Sequence, residues 1–352
     1  MRESGAMNRD LQDLLGQFGR ARVAVLGDLV ADEFVYGETD RISREAPVLI
    51  VRWESSELKP GCAANAVANL CALGAQVVPV GLVGSDEIGA RLRKLLRDGG
   101  ADDQFILTHD GPTATKTRIL AGGKNTRRQQ MIRVDRDGPG APPASLQKKL
   151  LAAFAEAAAG CDAILVSDYG LGLLCAPLVE AVRARAAHGS IVCVDARYGL
   201  AKYRGVTVAK PNEVELEQAV GRPLGDDPLA LEQAGRELLS SLRSASLLVT
   251  RGRNGMALLR PDAPTALLPV HGSSDAVDVT GAGDSVMAAN TLALAAGADP
   301  VQAMRLANVA GALSVQKPGT APVPAAELRA ELRRSPVAQA TLLPKRLARA
   351  RR

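Results

Sequence analysis

Short apolar segments alternate along this chain with segments of helical periodicity, and this alternation limits the fold more than any other feature. The apolar segments span residues 22–27, 77–83, 163–167, 191–194 and 247–250. Strands that alternate with helices form a parallel sheet covered by helices on both faces. The sequence therefore predicts an α/β fold with a doubly wound, mostly parallel sheet flanked by helices.

Polar residues follow several of these predicted strands. They are Asp28, Asp168, Asp195, Asn212 and the pair Arg251-Gly252. Right-handed crossovers bring the carboxyl ends of parallel strands to one edge of the sheet, which is where ligands bind in such folds. We therefore expect these residues to gather around one crevice.

The segment Thr280-Gly281-Ala282-Gly283-Asp284 opens a helical pattern that continues over residues 285–296. The first N–H groups of a helix lack partners within the helix and favour an anion. Gly281 and Gly283 allow the backbone to approach that anion, because glycine has no Cβ. Asp284 lies in the first turn, where its carboxylate can take a proton from an attacking hydroxyl. An anion site formed by Gly281, Ala282 and Gly283 beside a base indicates phosphoryl transfer, although no Walker-A pattern is present.

Two charged segments, residues 33–58 and 113–134, interrupt the α/β pattern. Both alternate like half-exposed strands. We expect them to fold together as a small β-sheet that covers the crevice as a lid; the alternative is two surface hairpins without a role. We expect one domain over residues 1–335 that contains both lid segments, followed by a basic tail over residues 336–352.

Composition and charge exclude several classes of function. The net charge is +5, and five positive charges lie in the last eight residues, so the rest of the chain is balanced. Aromatic residues make up only 3%, which argues against a surface that stacks nucleic-acid bases. No segment is long and apolar enough to span a membrane. The five cysteines form no CxxC pair, and no signal peptide precedes them, so we expect reduced, buried thiols in a cytoplasmic protein.

At this point the sequence resembles the ribokinase-type, PfkB-like carbohydrate kinases. The resemblance covers residues 22–332. It is carried by Gly27-Asp28 with Asp32, Gly61-Cys62-Ala63-Ala64-Asn65, Leu73-Gly74-Ala75, Gly81-Leu82-Val83-Gly84-Ser85-Asp86, Lys210-Pro211-Asn212-Glu213-Val214-Glu215, Thr250-Arg251-Gly252 and Asp278-Val279-Thr280-Gly281-Ala282-Gly283-Asp284. The resemblance implies a ribokinase-like fold, ATP as phosphoryl donor and Asp284 as general base.

The resemblance also implies a sugar site near the first strand. Asp28 and Asp32 are expected to bind sugar hydroxyls, together with Asn65 and the backbone at Gly61. Asp28 has an alternative role as a helix N-cap.

The nucleotide side of the site is expected to use residues from later strands. Asn212 and Glu215 lie three residues apart at a helix start and are expected to hold the water shell of Mg²⁺. The same spacing is that of a capping box, and both roles are compatible. Thr250-Arg251-Gly252 is expected near the phosphates of the nucleotide, with a simple turn as the alternative. Asn308 resembles a position near the adenine, although an ordinary amide on a helix face is equally compatible.

Within this family the chain is most similar to the bacterial heptose-7-phosphate kinases of lipopolysaccharide precursor synthesis. That similarity is carried by Tyr36-Gly37, Arg41-Ile42-Ser43, Glu45-Ala46-Pro47-Val48, Thr115-Lys116-x-Arg118, Gln130-x-Ile132-Arg133-x-Asp135 and Ser167-Asp168-Tyr169. It implies ATP-dependent phosphorylation of D-glycero-D-manno-heptose 7-phosphate at C1. A phosphorylated substrate needs a second anion site, for which Lys116, Arg118 and Arg133 are the best candidates among the lid's basic residues. The other candidates are Arg41, Arg44, Arg127 and Arg128.

Several departures and alternatives stay open. Cys62 replaces a second glycine common in the family, Leu171 replaces a frequent lysine, and Asp195-Ala196-Arg197 replaces Asp-Pro-Lys. No His-x-x-His motif follows residue 332, so we expect the kinase without a fused nucleotidyltransferase. The alternatives are a related kinase for another sugar or a nucleoside, and a non-catalytic sugar or nucleotide sensor. Apolar lid residues Val48, Ile50 and Trp53 lead us to expect a homodimer that pairs through the lid.

Overall fold

The computed structural model describes residues 2–123, 126 and 128–343. The strands are β1 (Arg22–Gly27), β2 (Leu29–Ile42), β3 (Leu49–Cys62), β4 (Gln76–Gly84), β5 (Ile106–His109), β6 (Thr115–Gly122), β7 (Gln129–Arg136), β8 (Ala163–Asp168), β9 (Ile191–Ala196), β10 (Val208–Ala209), β11 (Ser246–Thr250), β12 (Met256–Leu259), β13 (Thr265–Leu268) and β14 (Thr341–Leu343). The helices are α1 (Arg2–Gln17), α2 (Ala63–Ala72), α3 (Glu87–Asp98), α4 (Ala144–Ala157), α5 (Ala176–Ala187), α6 (Glu213–Val220), α7 (Pro228–Leu242), α8 (Ala282–Ala295), α9 (Pro300–Ser314) and α10 (Ala325–Arg334).

The main sheet has ten strands in the order β14-β13-β12-β11-β10-β9-β8-β1-β4-β5. In this sheet, neighbouring strands pair in parallel from β11 through β10, β9, β8, β1 and β4 to β5. Strands β12, β13 and β14 add an antiparallel edge beside β11. One apolar core lies between the sheet and α1, α2, α3, α8, α9 and α10, and a second lies under α4, α5, α6 and α7. The predicted fold class, a doubly wound sheet flanked by helices with a small β lid, is confirmed.

The lid is a separate four-stranded sheet in the order β3-β2-β6-β7. Strand β2 pairs antiparallel with β3 and parallel with β6, and β6 pairs antiparallel with β7. Strands β2 and β3 are each 14 residues long. Strand β2 begins directly after β1, and its first residue, Leu29, pairs with Cys62 at the end of β3. The two charged segments of the sequence therefore meet in one sheet, as expected.

Local signals explain where several helices begin. Asp86 caps α3 by accepting a hydrogen bond from the N–H of Gly89 at 2.8 Å. Helix α1, which the sequence analysis did not predict, places the buried Leu11 and Leu15 against the core, and the buried Phe18 follows directly after it. Their spacing of four and three residues is the helical signal that could have revealed it.

One strand follows residue 335, where the sequence analysis placed the end of the domain. Strand β14 lies inside the segment assigned to the tail, and it pairs with β13 at the edge of the main sheet. The basic residues of the last eight positions lie outside the described residues. Among the residues that are described, no helix is both long and apolar enough to cross a bilayer.

The cysteines are free thiols, but only Cys62 and Cys193 are buried. Cys71, Cys161 and Cys175 are partly exposed, so the expectation of five buried thiols was wrong for these three. They lie at the ends of helices or in the turns beside them, where neighbouring segments cover only part of each side chain.

Candidate active site

Two cavities meet at the N-terminus of α8, at the carboxyl edge of the main sheet. The first, which we call the polar cavity, has a volume of about 530 Å³ and lies between the sheet and the lid. The second, the apolar cleft, has a volume of about 540 Å³ and is walled by Met256, Val286 and Val315 among others. Asn212, Val279 and Gly283 line both. A ligand that fills both cavities therefore passes the start of α8.

The start of α8 has the geometry of an anion site. Gly281 is the N-cap, with φ of +77°, and it has no side chain to accept from the first N–H groups of the helix. A Cβ at Gly281 would lie 2.5 Å from Nδ2 of Asn65, so the position requires glycine. The N–H of Ala282 donates to the carbonyl oxygen of Val279 at 3.3 Å. The other N–H groups of the first turn and the helix dipole favour a negative group at this point.

Asp284 lies in the first turn of α8, and its carboxylate is almost fully buried while lining the polar cavity. Nδ2 of Asn65 donates to Oδ2 of Asp284 at 2.7 Å, and the hydroxyl of Tyr169 donates to Oδ1 at 3.2 Å. Burial and the nearby charge of Asp195 raise the pKa of Asp284 to about 7, although both hydrogen bonds and Lys210 oppose the rise. A carboxylate with this pKa can act as a base near neutral pH.

A chain of side-chain hydrogen bonds fixes the amide of Asn65. Nδ2 of Asn69 donates to Oδ1 of Asn65 at 3.1 Å, and the hydroxyl of Ser285 donates to Oδ1 of Asn69 at 2.8 Å. Because Oδ1 of Asn65 is an acceptor in this chain, its Nδ2 is directed to Asp284. Helices α2 and α8 thus hold the carboxylate in one orientation.

Basic side chains from the lid line the polar cavity opposite α8. Lys116 and Arg118 lie on the same face of β6, as their alternation predicts, and Arg133 comes from β7. Arg118 forms an ion pair with Asp32 at 2.8 Å. Lys116 donates to Sγ of Cys62 at 3.2 Å and lies 5.2 Å from the centre of the Tyr169 ring. These cations make the lid side of the cavity attractive to a negative group.

The remaining basic candidates of the lid lie elsewhere. Arg41 and Arg44 are exposed and line neither cavity. Arg128 pairs with Glu54 and stacks on the ring of Tyr36 at 5.5 Å. Arg127 lies outside the described residues.

Asn212 and Glu215 form the capping box of α6 and also line the polar cavity. The N–H of Glu215 donates to Oδ1 of Asn212 at 2.7 Å, and the N–H of Asn212 donates to Oε2 of Glu215 at 2.9 Å. Burial raises the pKa of Glu215, opposed by Lys210. Both of the roles that the sequence left open are therefore compatible with their position.

The chemistry of this donor set fits a magnesium ion held through water. No group of three or more His, Cys, Asp or Glu side chains that could hold a metal ion occurs in the described part of the chain. The carboxylates of Glu215 and Asp195 nevertheless face the cavity beside the anion site. Mg²⁺ keeps several waters and binds through few carboxylates plus phosphate oxygens, which matches these residues.

The apolar cleft contains some of the residues expected on the nucleotide side. Thr250, Gly252, Ala282 and Asn308 line it. The Asn308 amide donates to the carbonyl oxygen of Pro269 at 2.8 Å, so part of its polar capacity is already used. Its predicted proximity to an adenine stays a prediction.

Arg251 does not line either cavity. Its guanidinium is 8% exposed and donates to Oε1 of Glu213 at 2.9 Å. The neighbouring Arg253 lines the apolar cleft instead. A contact of Arg251 with the phosphates of the nucleotide therefore stays a prediction.

Three residues expected to contact the sugar lie beneath the cavity. Gly61 packs against Asp32: a Cβ there would come within 2.7 Å of its carboxyl carbon. The Asn65 amide is directed to Asp284, and the Asp28 carboxylate accepts backbone N–H groups of the segment after β8. Direct contact of these residues with a hydroxyl of the substrate stays a prediction. Of the four residues predicted at the sugar site, Asp32 alone lines the polar cavity.

Sequence reasoning assigned no role to Tyr169, Arg197 and Lys210, which line the polar cavity together with Asp195, a residue that it did expect at the crevice. Lys210 is buried and forms an ion pair with Asp195 at 3.1 Å. Burial alone would lower the pKa of Lys210, but Asp195, Glu215 and Asp284 together raise it. Each of these residues lies at or just after the end of a strand, and that signal could have identified them.

Comparisons with known proteins identify a family that this chain matches. The family model for pfkB family carbohydrate kinases matches residues 20–326. Bifunctional protein HldE of Pseudomonas aeruginosa (strain UCBPP-PA14) is 40% identical over 319 residues, and the match covers 90% of this chain. It covers 65% of that relative, so the chain spans slightly less than two thirds of its length.

Two solved structures share the fold at low sequence identity. Phosphofructokinase-2 from Escherichia coli, in complex with substrates and products, superposes with a TM-score of 0.72 at 19% identity, covering 89% of this chain and 99% of that one. Ribokinase from Arabidopsis thaliana, complexed with ribose and ATP, superposes with a TM-score of 0.69 at 19% identity, covering 89% and 98%.

Proposed function

Because the chain belongs to the pfkB family of carbohydrate kinases, we propose that it transfers the γ-phosphate of ATP to the C1 hydroxyl of D-glycero-D-manno-heptose 7-phosphate. The product is the 1,7-bisphosphate, an intermediate in ADP-heptose synthesis for the inner core of lipopolysaccharide. The observation that carries the proposal is the position of Asp284, a buried carboxylate that lines the polar cavity at the point where it meets the apolar cleft.

The two cavities fit the two substrates. The apolar walls of the cleft suit a nucleotide base, and a phosphate chain that leaves it reaches the N–H groups at the start of α8. The sugar phosphate occupies the polar cavity, with its own phosphate toward Lys116, Arg118 and Arg133 on the lid. The lid residues are also those that carry the similarity to heptose-7-phosphate kinases.

Asp284 takes the proton of the attacking hydroxyl, and the N–H groups at Gly281–Gly283 stabilise negative charge on the transferred group. Lys210 adds a fixed positive charge on the same side of the cavity. Mg²⁺, held through water near Asn212 and Glu215, would neutralise charge on the phosphates. Closure of the lid over the polar cavity excludes water, which otherwise competes as the acceptor.

The lid also supports the proposal of a homodimer. Its outer surface exposes large apolar side chains, of which Ile42, Val48 and Trp53 are 64%, 56% and 65% exposed. Apolar side chains grouped on an exposed sheet favour pairing with a second chain. Light scattering of the purified protein tests this: the mass of one chain would contradict it.

A substrate panel tests the proposed reaction. Purified protein with ATP is offered heptose 7-phosphate, heptose without the phosphate, ribose, fructose phosphates and adenosine, and products are identified by ³¹P and ¹³C NMR. We expect turnover of heptose 7-phosphate with the new phosphate at C1. If another sugar or a nucleoside is phosphorylated and the heptose phosphate is not, the chain is a kinase of different specificity. A protein inert toward the whole panel would favour the sensor.

The phosphate contact has its own matched control. Lys116→Met should raise KM for the phosphorylated sugar by about tenfold, because it removes one charge-assisted contact. Lys148→Met, at an exposed position of α4 outside both cavities, should leave KM unchanged. Equal KM values for the two variants would show that Lys116 does not contact the phosphate of the substrate.

A further inference from the structure

Asp28 lies directly after β1, is buried, and does not line the polar cavity. Its Oδ2 accepts a hydrogen bond from the N–H of Tyr169 at 2.8 Å and one from the N–H of Leu171 at 3.3 Å. The side chain is 4% exposed. A buried carboxylate that accepts two backbone N–H groups of one loop fixes the path of the segment that follows β8.

That segment carries one of the two hydrogen-bond donors of the base. The hydroxyl of Tyr169 donates to Oδ1 of Asp284 at 3.2 Å. The ring packs under Lys116, 5.2 Å from its ammonium nitrogen. Displacement of the backbone at Tyr169 would therefore move the hydroxyl away from Asp284.

The backbone of Asp28 supports the other donor. Its carbonyl oxygen accepts the N–H of Ala63, the first residue of α2, at 3.1 Å. Asn65 lies two residues after Ala63 in α2, and its amide donates to Oδ2 of Asp284 at 2.7 Å. Both donors to the base are thus linked to Asp28 by hydrogen bonds. The side chain of Asp28 binds the backbone of Tyr169, and its carbonyl oxygen binds the start of α2, which carries Asn65.

We propose that Asp28 is a positioning residue for the base, and that it holds Tyr169 and Asn65 in place to orient and ionise Asp284 rather than contacting the sugar. This inference rests on the proposed role of Asp284. It replaces the sugar contact expected for Asp28 from the sequence, because the carboxylate is already used by the backbone of residues 169–171.

The electrostatic surroundings give the inference a measurable consequence. Hydrogen bonds donated to a carboxylate favour its charged form, so loss of the Tyr169 contact raises the pKa of Asp284. The other groups that face Asp284 are Asp195, which raises that pKa, and Lys210, which lowers it. Neither is attached to Asp28, so both stay in place in an Asp28 variant.

The test compares Asp28→Asn with Asp32→Asn. Asp28→Asn keeps the size of the side chain and weakens its contacts to two N–H groups. We expect kcat to fall about tenfold, KM for the sugar to stay within about twofold, and the acid limb of the kcat profile to move to higher pH. Asp32→Asn, which changes a residue lining the cavity, should mainly raise KM.

Tyr169→Phe provides the second variant. It removes only the hydroxyl, so it should shift the acid limb in the same direction. The double variant Asp28→Asn/Tyr169→Phe should be no slower than the slower single variant, because both changes remove the same contact. If Asp28→Asn fails to fold by circular dichroism, Tyr169→Phe decides alone: an unmoved acid limb overturns the inference.

Other outcomes separate this inference from the proposed reaction. A raised KM with unchanged kcat and pH profile in Asp28→Asn would make Asp28 a sugar ligand and overturn the inference. The measurements use whichever sugar the substrate panel identifies, so a wrong heptose assignment does not affect them. A fully active Asp284→Asn protein would show that Asp284 is not the base, and it would overturn the inference as well.

Discussion

Replacement of Gly281 by alanine tests how the start of α8 holds the base. Gly281 has φ of +77°, and a Cβ there would lie 2.5 Å from Nδ2 of Asn65 and 3.2 Å from Cγ2 of Thr320. Contacts below 3.0 Å require an atom to move. The amide of Asn65 is the group that must move, and it donates to Asp284 at 2.7 Å. The substitution therefore removes a hydrogen bond to the base without changing the base.

The expected loss of stability combines two costs. A non-glycine residue in the left-handed region costs about 1–2 kcal/mol, of which a reduced entropy of the unfolded chain offsets about 0.4–1 kcal/mol. Loss of a buried hydrogen bond to a charged group costs about 1.5–3 kcal/mol more. We expect Gly281→Ala to lower the free energy of unfolding by about 2–4 kcal/mol.

Gly297→Ala is the matched control. Gly297 follows the C-terminus of the same helix with φ of +87°, and a Cβ there would meet nothing within 4 Å. This variant has only the backbone cost, so it should lose about 1 kcal/mol or less. The difference between the two variants, about 1.5–3 kcal/mol, isolates the clash with Asn65.

Denaturant unfolding measures the stabilities, and the pH dependence of kcat reports on the base. Loss of the Asn65 donor raises the pKa of Asp284, so the acid limb of Gly281→Ala should lie at higher pH than in the wild type and in Gly297→Ala. Equal losses of stability in the two variants, with coincident pH profiles, would refute the reasoning. The added methyl group would then be accommodated without moving Asn65.

Three further predictions follow from the same region. Asp284→Asn should lower kcat by about 10²–10⁴ with little change in KM for ATP, and a steady-state assay with wild-type kcat would contradict the assignment of the base. In the wild type, kcat should rise with pH through an acid limb at about pH 7, because burial raises the pKa of Asp284 to about 7 and only the ionised form accepts a proton. The raised pKa also stabilises the folded wild type at low pH, and this stabilisation is lost as pH rises through about 7. Asp284→Asn should therefore gain stability relative to the wild type as pH rises to about 7, and a pH-independent difference between their unfolding free energies would contradict this prediction. Cys62→Gly should stabilise the protein by about 1 kcal/mol. Cys62 has φ of +53°, and such backbone strain costs about 1–3 kcal/mol, of which the greater entropy of the unfolded chain with glycine offsets a part. A lower melting temperature for this variant would show that the contact between the wild-type Cys62 thiol and Lys116 stabilises the protein by more than the strain costs.

Much of the fold follows from local patterns in the sequence. Apolar runs of strand length separated by helical periodicity specify the parallel sheet and its two layers of helices. The start of α3 at Asp86 and the anion site at Gly281 follow from capping and from glycine at a helix start, which involve only neighbouring residues. The same is true of Lys116 and Arg118, whose spacing of two places them on one face of a strand.

The arrangement of charges around the base depends on contacts between distant residues. Asp32 and Arg118 are 86 residues apart, and they pair because β2 and β6 lie side by side in the lid. Tyr169 reaches Asp284 across 115 residues, and Asp28 holds the backbone of Tyr169 across 141. No local period encodes such pairs.

The sequence by itself determined the alternation of strands and helices along the chain, the anion site at the start of α8 and the identity of Asp284 as a candidate base. The tertiary structure decided which polar side chains reach the cavity. Asp28, Gly61, Asn65 and Arg251 are the right residue types for ligand contacts, yet they support the site from beneath or pair with protein groups. The physical reason is that a buried polar group must be satisfied by whichever partner the packing brings to it. That partner is set by strand order and register, which a local pattern does not contain.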